Sequence, residues 1–138
     1  MLDTTTEWGR LVERRLREEE VIWLTTVRRD GQPQPIPVWF LWDGETILIY
    51  SRPDQQKVRN IRHNPKVSLH FNTDEYGDSV VRIDGVAEIV PDAPPVTEVP
   101  EMIEKYRDGI RRIGSDPESF ARDYSVAIRV VPQRFYGW

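Results

Sequence analysis

The 138-residue chain has no cysteine. That excludes disulfides, thiolate metal sites and cysteine nucleophiles, and it fits a cytoplasmic protein. Histidine is scarce as well. His63 and His70 are the only two, they fall on different expected elements, and a zinc site is not expected from them. No apolar run approaches the roughly 20 residues of a membrane-spanning helix. The opening MLDTTTEWGR has no basic stretch leading into an apolar one, so neither a secretory leader nor a membrane partner is expected. Surplus positive charge is also missing. Nineteen Lys+Arg against 23 Asp+Glu leave a net −4, which argues against nucleic acid held on a basic surface. There is no Walker loop, Rossmann glycine fingerprint or nucleophile-elbow serine. Asp74 and Glu75 form a carboxylate pair, but one in a polar loop. Side-chain nucleophiles and acid–base pairs therefore lack candidates, and any redox or transfer chemistry belongs to a bound cofactor.

The chain is instead rich in strand signals, prolines and tryptophans, with 11 Pro and five Trp. Thr4 and Glu7 have capping-box spacing, and Trp8, Leu11, Val12 and Leu16 then recur at helical intervals. Val21 to Val27 reads as a strand, Asp30-Gly31 as a hairpin turn, Gln34 to Trp42 as the next strand, Asp43-Gly44 as a second turn and Thr46 to Ser51 as a third strand. Two successive hairpins imply an antiparallel meander. Asp54 is placed to cap a short helix reaching Arg62. Lys66 to Asn72 and Val80 to Val90 follow as strands, the latter with an expected bulge at Asp84-Gly85. After a proline-rich stretch, Glu101 to Ile113 reads as a helix, Asp116-Pro117 starts another, and Ser125 to Val131 is the last strand. The tail Gln133 to Trp138 is aromatic. The expected fold is one unit over residues 1–138, mainly β with flanking helices: a closed or partly closed barrel of about six antiparallel strands.

Three features bear on chemistry. Pro33, Pro35 and Pro37 alternate along a strand, so one lateral edge can accept hydrogen bonds but not donate them. This either protects a sheet edge from aggregation or offers an acceptor row to a planar ligand with ring N–H groups. Second, Tyr50, Ser51 and Arg52 lead into the short helix that carries Lys57, Arg59 and Arg62. This is either a phosphate site or a solvated basic face. Third, aromatic side chains (Trp23, Trp39, Phe40, Trp42, Tyr50, Tyr76, Phe135, Tyr136, Trp138) exceed what a small barrel can enclose. Some are left for an interface or a ring-shaped ligand.

The order of TTVRRDGQPQPIPVWFLWDG, ILIYSRPDQQKVRNIRHNPKVSLHF and VVRIDGVAEIV resembles the split-barrel flavin-binding proteins related to pyridoxamine 5′-phosphate oxidase. It is most similar to the branch that uses the deazaflavin coenzyme F420. The likeness is good over about residues 20 to 90. It implies an FMN-binding-type split barrel and a reductase that passes a hydride from the deazaflavin C5 to a small conjugated organic substrate, with FMN as the alternative cofactor. It also implies a homodimer with cofactor sites at the subunit interface. Pro35, Ile36, Pro37, Val38 and Trp39 would run beside the ring, and the N–H of Val38 or Trp39 would be free to reach a ring carbonyl. Tyr50, Ser51, Arg52 and Lys57 would hold the phosphate. Tyr76, Asp78 and Trp138 would reach the partner's site. The chain departs from the pattern in two places. The substrate-binding arginine and histidine of vitamin B6 oxidases have only Arg134 as an echo, and no histidine follows His70, as haem-degrading relatives would require.

Overall fold

A computed structural model describes residues 2–138. Its elements are α1 (Glu7–Glu18), β1 (Ile22–Val27), β2 (Pro33–Val38), β3 (Leu41–Trp42), β4 (Ile47–Ser51), α2 (Gln56–His63), β5 (Lys66–His70), β6 (Val81–Ile89), α3 (Pro100–Arg112), α4 (Pro117–Asp123) and β7 (Val126–Gly137), with a 3-10 turn at Val96–Glu98. The seven strands form one antiparallel sheet in the order β2-β1-β5-β6-β7-β4-β3. The sheet curls into a split half-barrel flanked by the helices.

The strand order explains the split. β2 and β3 stand at opposite ends of the order, yet only Trp39 and Phe40 separate them in the chain. Three Cα steps, at most about 11 Å, join Val38 to Leu41. The two sheet edges must therefore curl toward each other. Gln34 to Trp42 is not the single strand expected, and β1 to β4 are not a meander: each hairpin forms, but they lie on opposite edges. The cause of the break is remote in sequence. The Phe40 N–H donates to the Tyr106 hydroxyl at 2.8 Å instead of to a strand. That hydroxyl also lies 2.7 Å from the Glu20 carbonyl and 2.9 Å from the Phe40 carbonyl, and its one proton serves one of them at a time. Lys105 Nζ, 3.1 Å from the Phe40 carbonyl and 3.9 Å from the Phe40 ring centroid, satisfies the other.

Alternation along the strands fills the barrel. Ile22, Leu24, Ile47, Ile49, Leu69, Ile83 and Val130 are fully buried, with Val12 and Leu16 of α1 and Val58 and Ile61 of α2 against them. The bulge falls at Asp84/Gly85 as expected, and Asp116 caps α4 by accepting from the Ser119 N–H at 2.8 Å. Three local expectations are corrected. The cap of α1 is Thr6, which accepts from the Gly9 N–H at 2.9 Å; Thr4 and Glu7 do not form a box. The cap position of α2 is Gln55, not Asp54, and it makes no side-chain bond. The aromatic tail is strand: β7 runs on to Gly137 because Arg134, Phe135 and Tyr136 find partners in Asp84, Ile83 and Arg82 of β6.

A second cluster lies outside the barrel. Tyr50, Val96, Met102, Tyr106, Ile110, Phe120 and Ala127 pack α3 and α4 onto the sheet.

Candidate functional site

β2 is an edge strand with β1 as its one neighbour, in the register Val27↔Pro33, Thr25↔Pro35 and Trp23↔Pro37. Prolines have no N–H, so the ladder to β1 runs through the N–H groups of Gln34, Ile36 and Val38. The carbonyls of Pro33, Pro35 and Pro37 then point to the open side, which carries no N–H over the same stretch. Gly31, at φ 92°, makes the turn that brings β2 back along β1.

The cationic helix is fixed to this edge by a buried amide. Asn60 of α2, 1% exposed, donates to Thr26 Oγ1 at 2.9 Å and to Gln34 Oε1 at 3.0 Å, and accepts from Gln56 Nε2 at 2.8 Å. The side chain thus ties α2 to both β1 and β2, which sets the position of Lys57 relative to the proline strand.

Between β2, the end of β4, the start of α2 and the α3–α4 hairpin lies a cleft of about 550 Å³. Seven of the nine residues singled out from the sequence line it: Ile36, Pro37, Val38, Trp39, Tyr50, Arg52 and Lys57. Pro35 is exposed on the same edge, outside the lining, and Ser51 is fully buried with its hydroxyl donating to the Arg52 carbonyl at 2.9 Å. The Tyr50 hydroxyl donates to the Pro94 carbonyl at 2.6 Å, and burial raises its pKa. Burial alone pushes the Lys57 ammonium below the ordinary lysine range. A half-buried cation with no compensating charge favours an anion.

The far wall comes from residues that strand and charge patterns near the N-terminal half do not reveal: Arg112, Ile113, Phe120 and Tyr124. It is a continuous aromatic pile. Trp39 stacks on Tyr106 (centroids 4.7 Å) and on Phe120 (5.6 Å), Phe120 stacks on Tyr124 (4.3 Å), and the Arg52 guanidinium sits 5.0 Å from the Tyr124 centroid. Gly109 makes room for it, since a Cβ there would lie 3.0 Å from the Trp39 ring. The sequence signal that was available is Phe120 and Tyr124 at i, i+4 on a capped helix, one turn from a strand.

Tyr76, Asp78 and Trp138 gather at another place. Tyr76 is 81% exposed in the loop before β6, and Trp138 Nε1 donates to Asp78 Oδ1 at 3.3 Å. They do not line the cleft of their own chain.

The split half-barrel is a fold of flavin- and deazaflavin-related oxidoreductases. The family model described as Pyridoxamine 5′-phosphate oxidase matches residues 10–138, and the chain belongs to that family. An F420 reductase of known structure superposes with a TM-score of 0.70 at 30% identity, covering 90% of this chain and 94% of that one. A conserved hypothetical protein from Mycobacterium tuberculosis gives 0.71 at 27% identity, covering 96% and 84%. Pyridoxine/pyridoxamine 5′-phosphate oxidase 2 of Hydrogenovibrio crunogenus is 36% identical over 73 residues, 52% of this chain and 34% of that protein. The chain thus matches about a third of the length of that relative. Among the described residues no helix is long and apolar enough to cross a membrane.

Proposed function

We propose that the protein is a reductase that uses the deazaflavin F420 to reduce a small conjugated organic acceptor. The observation that carries this is the shared cleft: Lys57 and Arg52 line the same space as Ile36 to Trp39. Phosphate-binding cations at one end, an acceptor edge along the side and a flat aromatic wall fit a planar ring with an anionic tail. Among the described residues no Asp or Glu lines the cleft to neutralise its cations or repel such a tail. When bound, F420 supplies hydride transfer at C5.

The chain's own residues orient and shield. Lys57 and Arg52 hold the phosphate. The Pro37 carbonyl, on the cleft lining, would accept from a ring N–H group, with the Pro35 carbonyl next along the same edge. Trp39 supplies the first N–H after the proline run, because that of Val38 goes to Ile22. Trp39 and Phe120 exclude water from one face, which strengthens each polar contact in the cleft. Among the described residues no Asp, Glu or His lines the cleft, and we assign the proton that completes reduction to solvent. The 30% identity to an F420 reductase over nearly the whole chain supports this reading.

The family is flavin-related, which supports FMN as a second cofactor on the same residues. Absorbance and fluorescence of the purified protein titrated with each cofactor decide between them. F420 bound tighter than FMN supports the proposal, whereas FMN bound tighter, or protein that purifies with bound FMN identified by its absorption spectrum, supports the second reading. Binding to F420 without turnover of any acceptor would make the protein a carrier. We further propose a homodimer, in which the exposed Tyr76 and Trp138 of one subunit approach the cleft of the other. A monomeric mass by light scattering overturns that part.

A further inference from the structure

We propose that Arg112 gives the cleft a second anion-binding point, separate from Arg52 and Lys57, so that what binds there carries two spaced anionic groups. This rests on the cleft being the cofactor site. Three cations from three elements, the end of β4, α2 and the last turn of α3, line the cleft, and no carboxylate does. In a chain of net charge −4 this is a local reversal of sign. A phosphodiester carries one negative charge and a phosphate monoester about −1.5 to −2 at neutral pH, so a single phosphate balances at most two of the three cations. At least one positive charge is left over, and we assign it to Arg112, which comes from a different element than Arg52 and Lys57.

Arg112 is solvent-exposed and free to meet a ligand. Among the described residues it makes no ion pair and no side-chain hydrogen bond, and Asp108, one turn earlier, is not within ion-pair distance. Its position at a helix C-terminus favours a cation in general, but that is equally true of Arg111, which faces a different depression of about 240 Å³ beside Asp116. Arg112 is the one turned to the cleft, next to Ile113, where α3 gives way to α4. A planar guanidinium there suits a carboxylate or phosphate bidentately. The second anion has two possible sources, the tail of the cofactor or the acceptor itself.

The test uses the whole chain, wild type, Arg112→Gln and Arg112→Lys, with dissociation constants from fluorescence. The probes are riboflavin, FMN with one phosphate, and F420, which carries both a phosphodiester and carboxylates. If the anion is on the tail, Arg112→Gln weakens F420 at least tenfold and FMN less than twofold, and Arg112→Lys recovers most of the loss. If it is on the acceptor, both cofactors bind as before. The loaded wild type then prefers 3-benzoylacrylate to its methyl ester, and Arg112→Gln erases that preference. Changes below twofold in both arms, or equal weakening of riboflavin, FMN and F420, overturn the inference. A wild type that binds none of the three cofactors overturns the oxidoreductase reading along with it, so the two failures are told apart.

Discussion

The two hydrophobic clusters of the molecule are built to opposite ends. The barrel cluster is mostly aliphatic, drawn from alternate strand positions, and closed to solvent. The cluster under α3 and α4 is smaller, and its aromatic members Tyr50 and Phe120 are also walls of the cleft. The first is packed for stability. The second trades part of that for a surface on which a ring can lie. Substitutions in the first should cost folding energy and leave binding alone, while substitutions around the second should do the reverse.

The largest expected effect is in the barrel. Leu24→Ala removes a fully buried side chain and costs about 3 kcal/mol of stability by urea denaturation, with cofactor affinity of the folded fraction unchanged. A matching loss of affinity would dissolve the distinction. Next is Lys57→Ala, where losing a charge-assisted contact costs about 1.5–3 kcal/mol of phosphate-ligand binding, tenfold or more in dissociation constant. Its melting temperature should hold or rise, because an uncompensated half-buried charge is removed. Gly109→Ala sharpens the contrast further. Overpacking against Trp39, about 1 kcal/mol or more, is offset by about 1 kcal/mol of helix propensity, so stability moves little. Trp39 is pushed toward the cleft, and its fluorescence and the cofactor affinity both change.

The last prediction is a pH dependence. Burial lowers the Lys105 pKa from 10.5 to about 8. Between those values the folded chain binds fewer protons than the unfolded one, so stability from this group rises with pH across that window and is flat below it. Lys105→Met should flatten the rise in melting temperature between about pH 8 and 10.5. Burial also holds the Tyr106 phenol far above its usual range, so the hydroxyl that pins Phe40 stays protonated in that window.

Much of the barrel was legible because its signals are local. Alternation named the buried strand faces, Asp30-Gly31 and Asp43-Gly44 named the hairpins, and the proline triplet with Lys57 and Arg52 named one side of the cleft. What was hidden depends on partners far along the chain. Trp39-Phe40-Leu41-Trp42 reads as unbroken strand, and only a hydroxyl 66 residues away ends it. Gln133 to Tyr136 reads as tail until β6 pairs with it. The choice of Thr6 over Thr4 turns on which hydroxyl meets an orphan N–H, and composition is blind to that. The helical wall of Arg112, Ile113, Phe120 and Tyr124 was missed for the same reason, since nothing in its own segment says which surface it will face.

The two-residue strap of Trp39 and Phe40 has a consequence for how this chain tolerates changes in length. An insertion in the exposed 72–79 turn shifts neither sheet edge. One extra residue between Val38 and Leu41 would slip the register of β3 or slacken the tie between both edges at once. Relatives of this barrel should therefore vary in length far more at the first place than at the second.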